Sequence, residues 1–509
     1  MNSRTDYAIK NVKWGYICTG ITYLFGFVLR TLIIRILGEN YAGINGLFSN
    51  ILGVLSFAEL GIGTALNYSL YKPIAVGDNE KVKSLMQLYK VSYRLIASII
   101  AVFGTCLIPF LDKLVKDPGD VGDLKVYYII YLFTTVTTYF VSYKYSLANA
   151  KQENYLVSFL TMISSCFTYI MQIVVLLLFK DYLIYLVVGV IVDCIQKIWI
   201  SSYINSKYHI LKEKSIVPLE KKEKREIFDN TKALILHKVG DVSVHQTDNI
   251  IISAFVNVSM VGKVTYYSFF INAAHQLFVV ALNAVVGSLG NAISEENQEI
   301  QYKLFKVYRF VAFWMYGLTS IGLYIMLSKL VYILVGSKMV IANLIVLLMI
   351  IDFYMIGQRA ALNNMKMAGG IFRQDQFIPI VQAVVNLIVS IVLVKHIGVI
   401  GVYIGTVVQG LVSTIIRPCI VYPQMFNKNA SFYFVDSMKY IFAMIVAFVI
   451  CKVIDVGLFT ECTLFTFVVE MMLLVIVINS TFLILFAKNI EMRYLIDVIK
   501  EKFKWKKYQ

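Results

Sequence analysis

Fourteen apolar blocks run through this 509-residue chain, each close to the length of about 20 residues that a helix needs to cross the hydrocarbon core of a bilayer. They fall at 14–37, 44–70, 86–111, 124–147, 155–179, 182–204, 232–256, 264–290, 304–327, 331–357, 376–396, 399–421, 434–454 and 462–487. Apolar residues make up 59% of the chain and charged residues 15%, too little polar surface for a soluble protein of this length to cover its core. The blocks predict an all-α polytopic membrane protein of about 14 spans, because a helix satisfies its own backbone in lipid.

Orientation follows from the basic residues. With the N-terminus inside, most of the 47 Lys and Arg fall on the cytoplasmic side, as the positive-inside rule expects. The richest inner segments are 71–94, 197–232 and the tail from Lys488 to Lys507, whereas the outer link 112–125 carries Asp112, Asp117, Asp120 and Asp123. The expected location is therefore the cytoplasmic membrane, with both termini in the cytoplasm. The net charge of +16 reads as topology and calls for no nucleic acid. The run from Lys500 to Lys507 suits contact with anionic lipid headgroups. Residues Met1 to Trp14 lack the features of a removable signal, so the first span is expected to stay.

The chemistry of enzymes is missing from the pattern. Gly262-Lys263 is followed by Val264, which breaks the phosphate-binding loop. There is no His-Glu-x-x-His, no Gly-x-Ser-x-Gly and no Asp-x-Asp, and the seven cysteines have neither metal spacing nor a disulfide framework. No catalytic residue, metal or cofactor is expected. The longest segment outside the spans, 205–231, holds the charge run Glu220 to Glu226 and reads as a linker between two halves.

Intramembrane charges are the functional clue, since each costs several kcal/mol in hydrocarbon unless paired or hydrated. Arg30 lies about 24 Å along the first helix from Trp14, and Arg35 lies at the outer boundary, where it can snorkel. In span seven His237, Asp241, His245 and Asp248 share one helix face, with Lys238 beside Asp241. That face must line water or meet another polar helix. Glu59 sits mid-span two with no partner in its own helix. Asp193 and Lys197, four apart, are expected to pair. Glu470 and His275 stand alone in their blocks, and Asp352 and Arg359 fall near the inner end of span ten, where interface anchoring suffices.

A faint internal repeat relates Arg30-Thr31-Leu32-Ile33-Ile34-Arg35, followed by Gly38 and Gly43, to Asp248-Asn249-Ile250-Ile251-Ile252-Ser253, followed by Gly262. Six spans separate the two, so the halves enter with one orientation, as in alternating-access transporters built from parallel repeats. Arg35-Ile36-Leu37-Gly38-Glu39-Asn40-Tyr41-Ala42-Gly43, then Glu59-Leu60-Gly61-Ile62-Gly63-Thr64-Ala65, resembles the opening of the polysaccharide-repeat flippases that serve O-antigen, capsule and exopolysaccharide synthesis. They belong to the multidrug/oligosaccharidyl-lipid/polysaccharide exporter superfamily. Asp248 to Ile252, Val261-Gly262 and Tyr266-Tyr267-Ser268 resemble that family's seventh and eighth spans.

The resemblance implies a V-shaped pair of six-helix lobes plus two C-terminal spans: 1–204, a linker at 205–231, 232–425, 426–487, and a tail at 488–509. It implies that undecaprenyl-pyrophosphate-linked oligosaccharide is flipped to the outer leaflet by a monomer working beside membrane lipids, a polysaccharide polymerase and chain-length machinery. Arg30, Arg35 and Lys238 are then the expected holders of the anionic headgroup, and His237, Asp241, His245, Asp248 and Glu59 the expected coupling groups, with H+ or Na+ as coupling ion. If the repeat alignment holds, Arg30 and Asp248 are equivalent and are expected to pair in one state. The rival readings are a cation-coupled multidrug extruder of the same fold, a flippase for another lipid-linked precursor, and a membrane-embedded polysaccharide polymerase.

Overall fold

The structure, a computed structural model, describes residues 4–505 apart from 60–61, 214–217, 224, 226, 228–245, 296–297, 370, 372–373 and 459–462. Among the described residues there are helices and no strand. Before the central link run α1 (Arg4–Ile36), α2 (Glu39–Leu55), α3 (Ile62–Val76), α4 (Asn79–Leu107), α5 (Leu124–Ala150), α6 (Asn154–Phe179) and α7 (Tyr182–Lys207). After it come α8 (Val258–Glu295), α9 (Gln298–Val335), α10 (Asn343–Ala368), α11 (Ile378–Ile397), α12 (Val399–Phe426), α13 (Ser431–Leu458), α14 (Leu464–Phe486) and α15 (Ile490–Trp505). Residues 246–255 are helical as well.

Local chemistry explains where several helices begin. Asp78, Asp123 and Asp181 each accept a backbone N–H in the first turn of α4, α5 and α7, satisfying donors that a helix start leaves open. Thr463 and Thr466 form a reciprocal capping box at α14. The break between α1 and α2 passes through Gly38 at φ +103°, a backbone conformation that glycine adopts without strain.

Eleven helices among the described residues are long and apolar enough to cross a membrane. Their outward side chains are apolar: Leu178 is 71% exposed, Phe465 and Ile484 77%. Such surface belongs against lipid rather than water. Much of the expected seventh span, 232–245, lies outside the described residues. The expected eighth span lies within the 38-residue α8.

Two expected spans are corrected. In span two the α-helix ends at Leu55 and gives way to a 3-10 turn over Ser56–Glu59, and α3 is described from Ile62. That turn ends at Glu59, whose carboxylate accepts from the Tyr93 hydroxyl of α4. Span ten lies twelve residues later at its start than expected, because α9 continues to Val335 and the chain turns at Gly336 with φ +85°. Residues 331–335 therefore belong to the preceding helix, and Asp352 and Arg359 move into the body of α10.

By packing, the helices fall into two compact units, Met1–Phe269 with Pro379–Val402, and Phe270–Ile378 with Tyr403–Gln509. In the first unit α1 lies along α6, α4 along α5 and α6 along α7. In the second, α9 is central and carries α10, α13 and α14. The two C-terminal spans are fastened by aromatic packing: Phe313 stacks on Tyr440 at 4.3 Å, and Phe482 and Phe486 close the cluster. Arg309 is buried beside it, 3.6 Å over the Tyr433 ring, and donates to the Tyr433 carbonyl at 3.1 Å and the Ser437 hydroxyl at 2.5 Å.

Candidate functional site

The first unit holds an open cavity of about 300 Å³ between α1, α2, α5, α6 and α7. Arg30 is the one cation among its lining residues; Asn45, Gln172, Asp193, three threonines and the tyrosines Tyr131, Tyr169 and Tyr185 are its other polar lining residues. The side chain of Arg30 is half-buried, with its guanidinium 4.8 Å from the centre of the Phe269 ring. Its neighbour Thr31 fixes this part of α1: the hydroxyl donates to the Phe27 carbonyl at 2.9 Å and lies 2.8 Å from the Tyr266 hydroxyl.

Asp193 does not neutralise Arg30. It pairs with Lys197 at 2.5 Å, as their i,i+4 spacing predicts. Lys197 also donates to the Thr134 carbonyl and the Thr137 hydroxyl, each at 3.0 Å. The acid in the cavity is thus matched within its own helix. Among the described residues Arg30 forms no ion pair, so its charge in the cavity has no carboxylate partner.

The other expected site residues are dispersed. Arg35 is exposed in the last turn of α1. His237, Lys238, Asp241 and His245 lie outside the described residues, and with them most of the polar stripe. Asp248 is half-buried in the helical stretch 246–255 and forms no ion pair with Arg30 in this conformation. Its neighbour Thr247 lies 3.5 Å from Asn386 of α11. Glu59 accepts a hydrogen bond from the Tyr93 hydroxyl of α4, and the ring of Tyr139 on α5 lies 5.8 Å from that of Tyr93.

Three other polar residues depart from or refine expectation. Arg359 is buried rather than anchored at an interface; it donates to the Gly410 carbonyl at 3.0 Å and lies 4.0 Å from Asp352. Glu470 is not alone: Lys329 of α9 reaches it at 2.8 Å and Asp455 of α13 at 2.5 Å. His275 Nδ1 lies 2.8 Å from the Tyr316 hydroxyl. Sequence reasoning missed Tyr93. Only the four-residue step from Tyr89 to Tyr93, which puts both on one face of α4, hinted at a polar cluster there.

Three hydrogen bonds join residues 114–116 to residues 253–258 in the first unit. The Lys116 amide donates to the Ser253 carbonyl at 3.2 Å, the Val258 amide to the Lys116 carbonyl at 3.3 Å, and the Ser253 hydroxyl to the Leu114 carbonyl at 2.7 Å. The link between α4 and α5 is thereby tied to the start of α8 through backbone groups that would otherwise lack partners.

A family model described as polysaccharide biosynthesis protein matches residues 8–292. Among solved structures, the fold resembles the lipid II flippase MurJ in an inward closed conformation, with a TM-score of 0.70 at 14% identity over 93% of this chain and 98% of that one. It also resembles an inward-facing multidrug resistance MATE family transporter of the MOP superfamily, at 0.58 and 13% over 81% and 96%. A Vibrio cholerae MATE transporter gives 0.57 and 15% over 84% and 99%. No curated protein sequence matches the chain.

Proposed function

From its place in the polysaccharide biosynthesis protein family, to which this chain belongs, we propose that it flips an undecaprenyl-pyrophosphate-linked oligosaccharide across the cytoplasmic membrane by alternating access. Its substrate combines an anionic pyrophosphate with a bulky polar sugar, and both are costly to bring into hydrocarbon. A polar cavity carrying a fixed positive charge lowers that barrier.

The observation that carries this reading is Arg30, a cation that lines a cavity of about 300 Å³ and has no carboxylate partner among the described residues. A guanidinium can grip phosphate oxygens through paired hydrogen bonds. The phenols of Tyr131, Tyr169 and Tyr185 offer stacking faces and hydroxyls for the first sugars. A multidrug extruder taking cations is disfavoured by the same residue, because its cargo would meet like charge.

With both termini at the cytoplasmic face, the protein would take substrate from the inner leaflet and deliver it to the polymerase and chain-length machinery outside. It acts as a transporter and as a monomer in this reading. The test is the leaflet accessibility of lipid-linked oligosaccharide in membranes with the protein, without it, and with Arg30→Ala. Accumulation on the inner face in the deletion, reproduced by Arg30→Ala, supports the flippase and this use of Arg30. A normal distribution in the deletion overturns it. A defect in the deletion alone keeps the flippase and removes Arg30 from the site.

A further inference from the structure

Lys144 is a buried cation outside the cavity around Arg30. It sits in α5 at 6% exposure, and its ammonium donates to the Ser201 hydroxyl of α7 at 2.5 Å. The Tyr143 ring lies 5.9 Å from it, and among the described residues no carboxylate pairs with it. Asp193, on the same helix as Ser201, is eight residues earlier, about 12 Å along the axis, and is taken by Lys197 at 2.5 Å. Lys90 of α4 adds a second positive charge close enough to repel the first. The ion pairs of α4 among the described residues involve Lys81 and Lys83, not Lys90. Burying a cation without a counter-charge is costly, and a like charge beside it raises that cost.

The pair sits at the depth of lipid headgroups. Lys144 and Ser201 each lie six residues before the ends of their helices, at Ala150 and Lys207. Lys144 is therefore about 9 Å from that end of α5 and about 30 Å from its start, and a hydrocarbon core of about 30 Å puts such a position at its boundary. Trp199 and Tyr203, two residues to either side of Ser201, are exposed, and aromatic side chains of this kind mark the membrane–water interface. Val91 on α4, Phe140 on α5 and Ile198 on α7 are exposed as well, apolar surface that belongs against lipid tails. Lys90 and Ser201 are partly exposed, so a group on a neighbouring lipid can reach them. In the orientation expected from the basic residues this is the inner leaflet, whose anionic lipids attract Lys and Arg.

We propose that Lys144, Lys90 and Ser201 form a site for the phosphate of an anionic membrane phospholipid. A lysine ammonium carries three donors; one from Lys144 goes to Ser201, which leaves two for phosphate oxygens. A phosphate between the two lysines replaces their repulsion with charge-assisted hydrogen bonds, and the exposed apolar residues of α4, α5 and α7 take the acyl chains. The ligand is a lipid of the bilayer rather than transported substrate, since neither lysine lines the cavity around Arg30. Held there, it braces three helices of the first unit at one end. The site stands independently of the flippase reading.

The test titrates full-length protein in detergent with phosphatidylglycerol carrying a fluorescent acyl chain and, separately, with inorganic phosphate alone. Saturable lipid binding that weakens about tenfold or more in Lys144→Met and in Lys90→Met, as loss of a hydrogen bond to a charged group implies, supports the site, provided that Lys72→Met binds like wild type. Lys72 is exposed near the end of α3 and reports the general attraction of anionic lipid to basic surface. Equal binding by the wild type and both lysine variants overturns the proposal, as does an equal loss in Lys72→Met. Inorganic phosphate that binds as tightly as the lipid and displaces it assigns the site to a free anion and overturns the lipid. Should Lys144→Met not fold, Lys90→Met must still weaken binding, since it leaves the bond from Lys144 to Ser201 intact; an unchanged affinity there also overturns the proposal. No lipid-linked oligosaccharide is present, so the outcome is separate from that of the leaflet experiment.

Discussion

Gly43 and Gly262 meet backbone against backbone: a β-carbon on Gly43 would fall 2.0 Å from the Val258 carbonyl oxygen, and one on Gly262 2.2 Å from that of Glu39. These are glycines that follow the two copies of the internal repeat. The first turns of α2 and α8 thus cross with no side chain between them, the close approach that small residues permit in membranes. The hydrogen bonds from Lys116 to Ser253 and Val258 hold the same segments together.

Alanine at either glycine must push two backbones apart. Gly43→Ala and Gly262→Ala are each expected to destabilise the protein by about 1–3 kcal/mol, the usual cost of overpacking. Gly20→Ala is the control, since a β-carbon there meets nothing within 4 Å. Thermal midpoints in detergent would check this, and equal midpoints for all three variants would refute the backbone contact.

Arg30 is expected to bind substrate through both charge and shape. Arg30→Ala should weaken binding of the lipid-linked pyrophosphate by about 1.5–3 kcal/mol, the worth of a hydrogen bond to a charged group. Arg30→Lys keeps the charge but not the paired geometry, so it should fall between the two. Titration of purified protein with the lipid-linked oligosaccharide measures the order; a lysine variant no better than alanine would mean that charge is not what Arg30 supplies.

The cluster at Lys329 predicts an asymmetry. Lys329→Met leaves Glu470, 1% exposed, and Asp455, 6% exposed, without their shared cation and should cost about 3–5 kcal/mol. Glu470→Gln should cost much less, because Lys329 keeps Asp455 at 2.5 Å. Chemical or thermal unfolding of the two variants tests this, and equal losses would count against a shared cation.

Acid sensitivity should reside partly in the turn before α6. Burial alone would raise the Glu153 carboxyl, but Lys207 at 2.5 Å and the Tyr208 hydroxyl at 2.5 Å outweigh it and hold the group below its ordinary 4.5. A carboxyl depressed in the folded state contributes stability above the unfolded value, and that contribution is lost as pH falls through the folded one. Wild-type protein should therefore lose thermal stability below about pH 4.5, and Glu153→Gln should be less stable at pH 7 and flatter below it. Parallel curves for the two proteins would rule this out.

How much of this was readable in one dimension depends on the range of the interaction. Apolar block length announced the membrane helices, because lipid thickness sets a length and the backbone must be satisfied within each segment. The pair Asp193–Lys197 was equally visible, since 3.6 residues per turn puts such neighbours on one face. The boundary between the ninth and tenth spans was misplaced because apolar residues continue through the turn at Gly336, and hydropathy does not register a change of backbone direction.

The partners of Glu470, Glu59 and Gly43 had no local signal at all. Lys329 lies 141 residues from Glu470, and Tyr93 34 residues from Glu59. Helical spacing is dictated by backbone hydrogen bonds, so the chain alone determined which residues share a face and roughly where each helix crosses the bilayer. Which face meets which neighbour, at what rotation and depth, is decided by side chains interdigitating along whole interfaces. Only the tertiary structure could therefore put a lone acid beside a tyrosine of another helix, turn a solitary glutamate into a buried ion pair, and bring two repeat-related glycines into contact.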